Sequence, residues 1–259
     1  MTFLHKLKAT LQSKPAKLIS SPKRASVAAI FRHSPVIGQE DKVQLLFIRR
    51  KVNPKDTWSG HMAFPGGRTK AGEDDLLAAI RETQEEIGIT LRENDVLGRM
   101  DDRPVYYGKT VATPFVFYLD NTIPFEPVLQ ETEVANVIWV DLDSIQNAAI
   151  QHLEIPTRYI FPSKASEYSA LDANLTPLQD KHVRFPCIYL DRPEDHPDDD
   201  DTAPRKVHDF VLWGLTYNMV SEIMVAGGAE RLPSMSGVVR ELREAYFKYK
   251  MEEESRSNM

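Results

Sequence analysis

Apolar residues run almost unbroken through "ASVAAIF" (25–31) and "VQLLFIRR" (43–50). Short apolar runs bounded by polar, Gly-containing connections predict buried strands. The same pattern predicts strands in "DVLGRMDD" (95–102), "TVATPFVFYL" (110–119), "VANVIWVDL" (134–142) and "VRFPCIYL" (183–190). Helical spacing takes over elsewhere. Phe3, Leu4, Leu7 and Leu11 recur at one-turn intervals near the N-terminus, and a longer helix is predicted from Asp74 to Ile87, with Gly88 as its stop. "DSIQNAAI" (143–150) reads as a short helix, and "VHDFVLWGLTYNMVSEIM" (207–224) and "SGVVRELREAYFKYKM" (236–251) as two long ones. "KVNPKDTWSGH" (51–61) reads as a loop, "AFPGGRTKAG" (63–72) is too glycine-rich for regular structure, and 151–182 has weak periodicity and is expected to be irregular. Strands bracketing helices predict a mixed α/β layer architecture.

Composition narrows the function classes. The chain has 259 residues, 42% hydrophobic and 27% charged, enough to bury a full core without cross-links. A net charge of −6 gives no global footprint for nucleic acid, and no apolar run approaches a membrane span of roughly 18 residues, so a soluble protein is expected. The single cysteine, Cys187, excludes an intramolecular disulfide, points to a reducing, intracellular compartment and is expected to be a buried small hydrophobe. The segment up to Gln39 carries seven lysines and arginines and no acid. Two readings fit it: an organelle transit peptide, mitochondrial in type, or a surface helix packed on the domain. The terminal Ser257-Asn258-Met259 resembles a peroxisomal signal only loosely. "DRPEDHPDDDDTAPRK" (191–206) is a solvated acidic insertion.

The chemistry gathers in "AFPGGRTKAGEDDLLAAIRETQEEIGI" (63–89). On a helical wheel Leu76, Ile80, Thr83 and Ile87 face the core, while Glu82, Glu85 and Glu86 share the opposite side and can converge on one point. Like charges at this spacing repel, more so toward the negative end of the helix dipole. Such a face is either solvated or a site for a hard divalent cation with oxygen ligands. Arg81 flanks the cluster, and Gly66 and Gly67 let the preceding main chain approach a metal or phosphate without a Cβ in the way.

Gly67, five residues, Glu73, seven residues, then Arg81-Glu82-Thr83-Gln84-Glu85-Glu86-Ile87-Gly88-Ile89 resembles the Nudix box, G-x5-E-x7-R-E-U-x-E-E-x-G-U, departing only at Thr83. The resemblance implies an α/β/α sandwich around a mixed sheet and a hydrolase that splits a nucleoside diphosphate linked to another moiety. It implies Mg²⁺ or Mn²⁺ as cofactor, Glu82, Glu85 and Glu86 as metal ligands with the Gly66 carbonyl as a further candidate, Arg81 orienting a catalytic glutamate, and Glu73 near the metal. One box glutamate or an outside acid, Glu131 or Glu133, is the candidate general base.

Flanking residues speak to substrate. "LLFIRR" followed by "GHMAFPGG" resembles the coenzyme A diphosphatase signature L-L-T-x-R-S-x3-R-x3-G-x3-F-P-G-G, and "LWGLTYNMV" (212–220) resembles a helix of that subfamily. The segment from Arg49 to Gly60 is two residues longer than the signature, and Asp56 stands where it has arginine, so Arg49, Arg50, Lys51 and Lys55 are the candidate phosphate contacts. Pro104 lies where ADP-ribose hydrolases carry proline, and Tyr106 and Tyr107 where dinucleoside polyphosphate hydrolases carry tyrosine. Trp58 and His61 border the substrate loop, with packing roles favoured; Trp139 and Trp213 read as core. The expectation is a CoA or acyl-CoA diphosphatase, giving 3′,5′-ADP and a 4′-phosphopantetheine species. Its alternatives are a Nudix hydrolase of another nucleoside diphosphate derivative, or a Nudix fold that binds without catalysis. The expected organisation is a basic extension (1–23), a Nudix hydrolase domain (24–250) and a tail (251–259), with a homodimer as the candidate assembly.

Overall fold

The computed structural model describes residues 1–53, 59–105, 110–120, 126–156, 182–193 and 209–234. Lys55, Asp56, Trp58, Tyr106, Tyr107, the body of the acidic insertion, the second C-terminal helix and the tail lie outside the described residues.

Helix α1 (Phe3–Ser13) is followed by β1 (Arg24–His33), β2 (Val43–Arg50), the short strands β3 (Met62–Ala63) and β4 (Gly66–Arg68), and helix α2 (Asp75–Ile87). Then come β5 (Val96–Arg99), β6 (Arg103–Val105), β7 (Thr110–Tyr118), β8 (Val134–Asp141), helix α3 (Leu142–Gln146), β9 (Gln151–Pro156), β10 (His182–Tyr189), β11 (Val211–Leu212) and helix α4 (Gly214–Ala226). Strands β1–β8 form one mixed sheet: β1 runs parallel to β7, with Val27 opposite Pro114, and the remaining pairs are antiparallel. Strands β9–β11 form a small antiparallel sheet.

The continuous apolar runs of β1 and β2 are explained by burial on both faces. Ala28, Ile30, Leu46 and Ile48 point to the α2 side with Ala79, Ile87, Phe115 and Phe117. Their neighbours Ala29, Phe31, Leu45 and Phe47 point to the other side, against Leu7 of α1 and Tyr217, Val220 and Ile223 of α4. The sheet is thus layered between α2 and the α1–α4 pair, the α/β/α arrangement. Of the two readings of the N-terminus, the packed helix is the one observed. Leu7 is fully buried, Leu11 sits over Gly98 and Phe3 over Gly227, positions where a Cβ would collide with it. No helix among the described residues is long and apolar enough to cross a membrane.

Three expectations are corrected. The glycine-rich segment is not wholly irregular: β1 and β2 pair through Phe31–His33 and Val43–Leu45, and below that β4 pairs with β1 while β3 pairs with β2. Glycine makes this insertion feasible, because a Cβ on Gly66 would lie 2.2 Å from the Ser26 carbonyl oxygen. Residues 151–156 form β9, whose alternation is short and weak: Leu153 is buried and Ile155 partly buried, between exposed Gln151, His152 and Glu154. The helix expected from Val207 begins only at Gly214: Phe210, Val211 and Leu212 are all fully buried, as in a strand covered on both faces, and Gly214 turns the chain with φ +62°.

Candidate active site

Helix α2 is stopped at both ends by local chemistry. Asp74 caps it, its carboxylate accepting from the Leu76 and Leu77 N–H groups, and Gly88 ends it in the left-handed region at φ +74°. Between them, Thr83 is fully buried and its hydroxyl donates to the Ala79 carbonyl at 2.8 Å, so the polar residue at an aliphatic position is satisfied within its own helix.

Arg81 binds three acids. Its Nε and Nη2 donate to the two oxygens of Glu73 at 2.7 and 2.9 Å, and its Nη1 donates to Glu82 at 2.7 Å and Glu85 at 3.0 Å. Nη2 also donates to the Arg68 carbonyl at 3.1 Å, tying the helix to β4. The Arg81 guanidinium holds the Glu73 carboxyl down at about 2, helped by the Lys70 N–H against some burial, and Glu73 in turn raises Arg81 above its usual range. Lys70 adds a looser contact to Glu85 at 3.9 Å.

Glu86 behaves differently. The wheel placed it on an open face, but it is 2% exposed, because β4 lies along that side of α2 and residues 128–130 hydrogen-bond to the helix end. The Gly66 N–H donates to Glu86 Oε2 at 2.8 Å. Burial pushes the Glu86 carboxyl up to about 8; the Gly66 N–H and Arg50 oppose that shift, and Glu82 and Glu133 add to it.

The three box glutamates are therefore brought near one another without converging. Glu82 and Glu85 turn to Arg81 while Glu86 turns to Gly66, and no three such side chains among the described residues are grouped as a metal would hold them. The donor chemistry nevertheless fits a hard divalent cation. Three carboxylates occupy one helical turn, one of them is desolvated among like charges, and a Cβ on Gly67 would meet Glu82 Oε2 at 2.2 Å, so the glycine leaves the space that this carboxylate fills. Gly66 enters the site through its N–H.

The phosphate-contact candidates are divided. Successive strand residues face opposite ways. Arg50 lies on the side that acts on Glu86; Arg49 lies on the other, half-buried, 5.1 Å over the Phe210 ring and lowered by burial despite Asp209. His61 joins this second side, 5.0 Å from Trp213, which also meets Phe185. Glu133 and Glu131 are exposed, and the Glu133 carbonyl accepts from the Lys51 N–H at 2.7 Å. Pro104 is exposed in β6. Cys187 is fully buried, its thiol pushed up to about 11 by burial. Trp139 lies beneath the Arg32 guanidinium at 3.9 Å.

The match that decides the family covers strands β1–β9 with helices α2 and α3: the NUDIX domain fits residues 24–160, more than half of the chain. The protein belongs to the Nudix family. It is 36% identical over 142 residues to an uncharacterized protein of Schizosaccharomyces pombe, covering 47% of this chain and 42% of that one. It is 26% identical over 190 residues to Nudix hydrolase 3 of Caenorhabditis elegans, covering 73% and 74%. It is 32% identical over 110 residues to the peroxisomal coenzyme A diphosphatase NUDT7 of Mus musculus, covering 42% and 45%. The chain thus spans less than half the length of the yeast and mouse relatives. Beside this site lies an ion-pair network that the sequence did not announce, made by Arg24, Asp75, Arg99 and Asp102 at the start of α2. Arg24, Asp75 and the neighbouring Arg99 and Asp102 come from three distant parts of the chain and share no motif, so no local signal marks them.

Proposed function

We propose that this Nudix chain hydrolyses the diphosphate of a nucleoside diphosphate derivative, with CoA or acyl-CoA as substrate and 3′,5′-ADP and a 4′-phosphopantetheine species as products. The observation that carries the reading is the helix α2 cluster, in which Arg81 gathers Glu73, Glu82 and Glu85 beside a buried Glu86 anchored on the Gly66 N–H. The CoA assignment is supported by the Leu45–Gly67 resemblance and by the mouse relative named for that activity.

Glu82, Glu85 and Glu86, with the Gly66 carbonyl, would hold Mg²⁺ or Mn²⁺. Once bound, such a cation neutralises diphosphate oxygens and makes water more acidic. The protein's own groups do the remaining work. Arg81 holds the Glu82 and Glu85 carboxylates close together, and Glu73 keeps Arg81 in line by a two-point contact. Arg50 offers positive charge on the Glu86 side, where a bound diphosphate would lie, while Arg49 sits on the opposite face of β2 beside Phe210. Glu133 projects at the Glu86 end of the cluster as the candidate acceptor of the water proton, and Lys55 remains a candidate phosphate contact.

A substrate panel with Mg²⁺ or Mn²⁺, read by product identity, tests the proposal. Release of 3′,5′-ADP from CoA supports it. AMP from ADP-ribose or a dinucleoside polyphosphate, without CoA turnover, moves the assignment to that class. No turnover on any diphosphate makes the chain a non-catalytic Nudix-fold binding protein.

A further inference from the structure

Helix α2 rests on the sheet through a contact that does not by itself fix its rotation. Over its first two turns the buried residues Ala78 and Ala79 are short and the longer Leu76 and Ile80 are only partly covered, while Thr83 and Ile87 bury the last turns. Apolar contact is non-directional, so the N-terminal half of the helix, seated on alanines, can roll with little loss of buried area. Rolling matters here: a carboxylate carried about 6 Å from the axis moves about 1 Å for a rotation of about 10°.

Beyond the Arg81 bond to the Arg68 carbonyl and the Gly66 N–H bond to Glu86, directional contacts are concentrated at the helix N-terminus. Asp75, the first residue of α2, accepts from Arg24 Nε at 3.1 and 3.0 Å through its two oxygens, meets Arg24 Nη2 at 2.9 Å and Arg99 Nη2 at 3.4 Å, and accepts from the Thr69 hydroxyl at 3.3 Å. Both arginines also bind Asp102, whose side chain is 0% exposed: Arg24 Nη2 at 2.9 Å and Arg99 Nη2 at 2.8 Å. The Thr113 hydroxyl donates to Asp102 at 3.1 Å. The clasp joins α2 to β1 through Arg24, to β5 through Arg99 and to β7 through Thr113. The segment after α1 closes it from outside. The Ile19 N–H donates to Asp102 at 2.8 Å, the Asp102 N–H donates to the Lys17 carbonyl at 2.9 Å, and Arg24 Nη1 donates to the Ile19 carbonyl at 2.7 Å.

We propose that Arg24, Asp75, Arg99 and Asp102 form a positioning clasp that sets the rotation of α2, and hence the placement of Glu82, Glu85 and Glu86, with residues 17–19 as its outer wall. This rests on the site reading given above. None of the four touches the box glutamates, so they are positioning residues. Two paired acids and two paired arginines suit that purpose better than apolar residues, because bidentate charge-assisted bonds fix direction.

The test is Arg24→Lys, which keeps the charge and removes the planar fork, with Asp75→Asn as the second variant. Each is compared with the wild type for folding by circular dichroism and thermal midpoint, for kcat and KM on the best diphosphate substrate, and for Mn²⁺ affinity by electron paramagnetic resonance without substrate. The expected result is a folded Arg24→Lys protein whose kcat falls about tenfold or more with KM within about twofold, and whose Mn²⁺ dissociation constant rises several-fold, since a displacement near 1 Å carries losses of that order or larger. A lowered thermal midpoint with wild-type kcat and Mn²⁺ affinity overturns the proposal and leaves the clasp a structural brace. If the wild type hydrolyses no diphosphate, the enzymatic reading falls while the Mn²⁺ comparison still decides the clasp. A wild type that binds no Mn²⁺ ends both.

Discussion

Replacing Gly67 with alanine tests the site with little disturbance of the fold. An added Cβ would lie 2.2 Å from Glu82 Oε2 and 2.5 Å from its Cδ, with no backbone atom among its nearest neighbours. Ordinary contact begins at 3.4 Å, so the Glu82 carboxylate must withdraw by about 1.2 Å, which disrupts its 2.7 Å bond from Arg81. Misplacing a reacting-site group by 1 Å costs about 100-fold in rate, or about 2.7 kcal/mol in barrier. Stability should hold, because the moving atom ends a flexible side chain and Gly→Ala at an unstrained position gains about 0.4–1 kcal/mol from the unfolded state. Gly66→Ala is the contrast. There φ is +146° and the Cβ would meet the Ser26 carbonyl oxygen at 2.2 Å and Val27 Cα at 2.6 Å, both backbone, so a loss of about 3 kcal/mol in folding is expected. The assay is kcat with saturating Mg²⁺, alongside urea unfolding, for both variants. A Gly67→Ala protein with near-wild-type turnover would refute the placement of Glu82 in the chemistry.

The remaining predictions bear on separate parts of the molecule. Glu85→Gln should lower kcat by about 100-fold or more with an unchanged thermal midpoint, since its side chain is 50% exposed and carries little of the fold; full activity in that variant removes it from the metal set. Leu7→Ala should cost about 2–5 kcal/mol in urea unfolding, because α1 contributes a fully buried side chain to the main core; a neutral outcome means that the helix is dispensable to the domain. Glu73 has a carboxyl depressed by Arg81 to about 2 from 4.5, so its contribution is present above pH 4.5 and is lost as the pH falls toward 2. Glu73→Gln should flatten stability against pH in that window, and a variant whose acid limb parallels the wild type removes Glu73 from acid unfolding.

The sequence exposed the motif more completely than its surroundings. Strands β1, β2, β7 and β8 were visible because each face of the sheet meets a helix layer or a second core, leaving apolar runs with few interruptions. Helix α2 was visible from its own signals, Asp74 as cap and Gly88 as stop. The wheel failed at Glu86 because it assumes one buried face. Here a glycine strand wedged between β1 and β2 covers a second face, and nothing in a periodicity count announces a strand three residues long. Arg49 and Arg50 read as one basic pair, yet strand alternation divides them between two sides of the sheet. The Arg24–Asp75–Asp102 clasp was invisible for a different reason: its residues lie 51 and 78 positions apart, and in the sequence each alone reads as an ordinary surface charge.

The same distribution of charge answers why acids crowd the end of a helix where the dipole disfavours them. Glu73, Glu82, Glu85, Glu86 and Glu133 face Arg81, Lys70 and Arg50, which leaves two negative charges uncompensated when every group is ionised. Proton uptake by Glu86, whose burial favours the neutral acid, removes only one of them. The divalent cation proposed for this site would remove both and let Glu86 remain an anion in its dry position. Under that proposal Arg81 is not surplus: by holding Glu73, Glu82 and Glu85 it limits repulsion among them in the metal-free protein, and it would leave unbalanced the charge that one divalent cation carries.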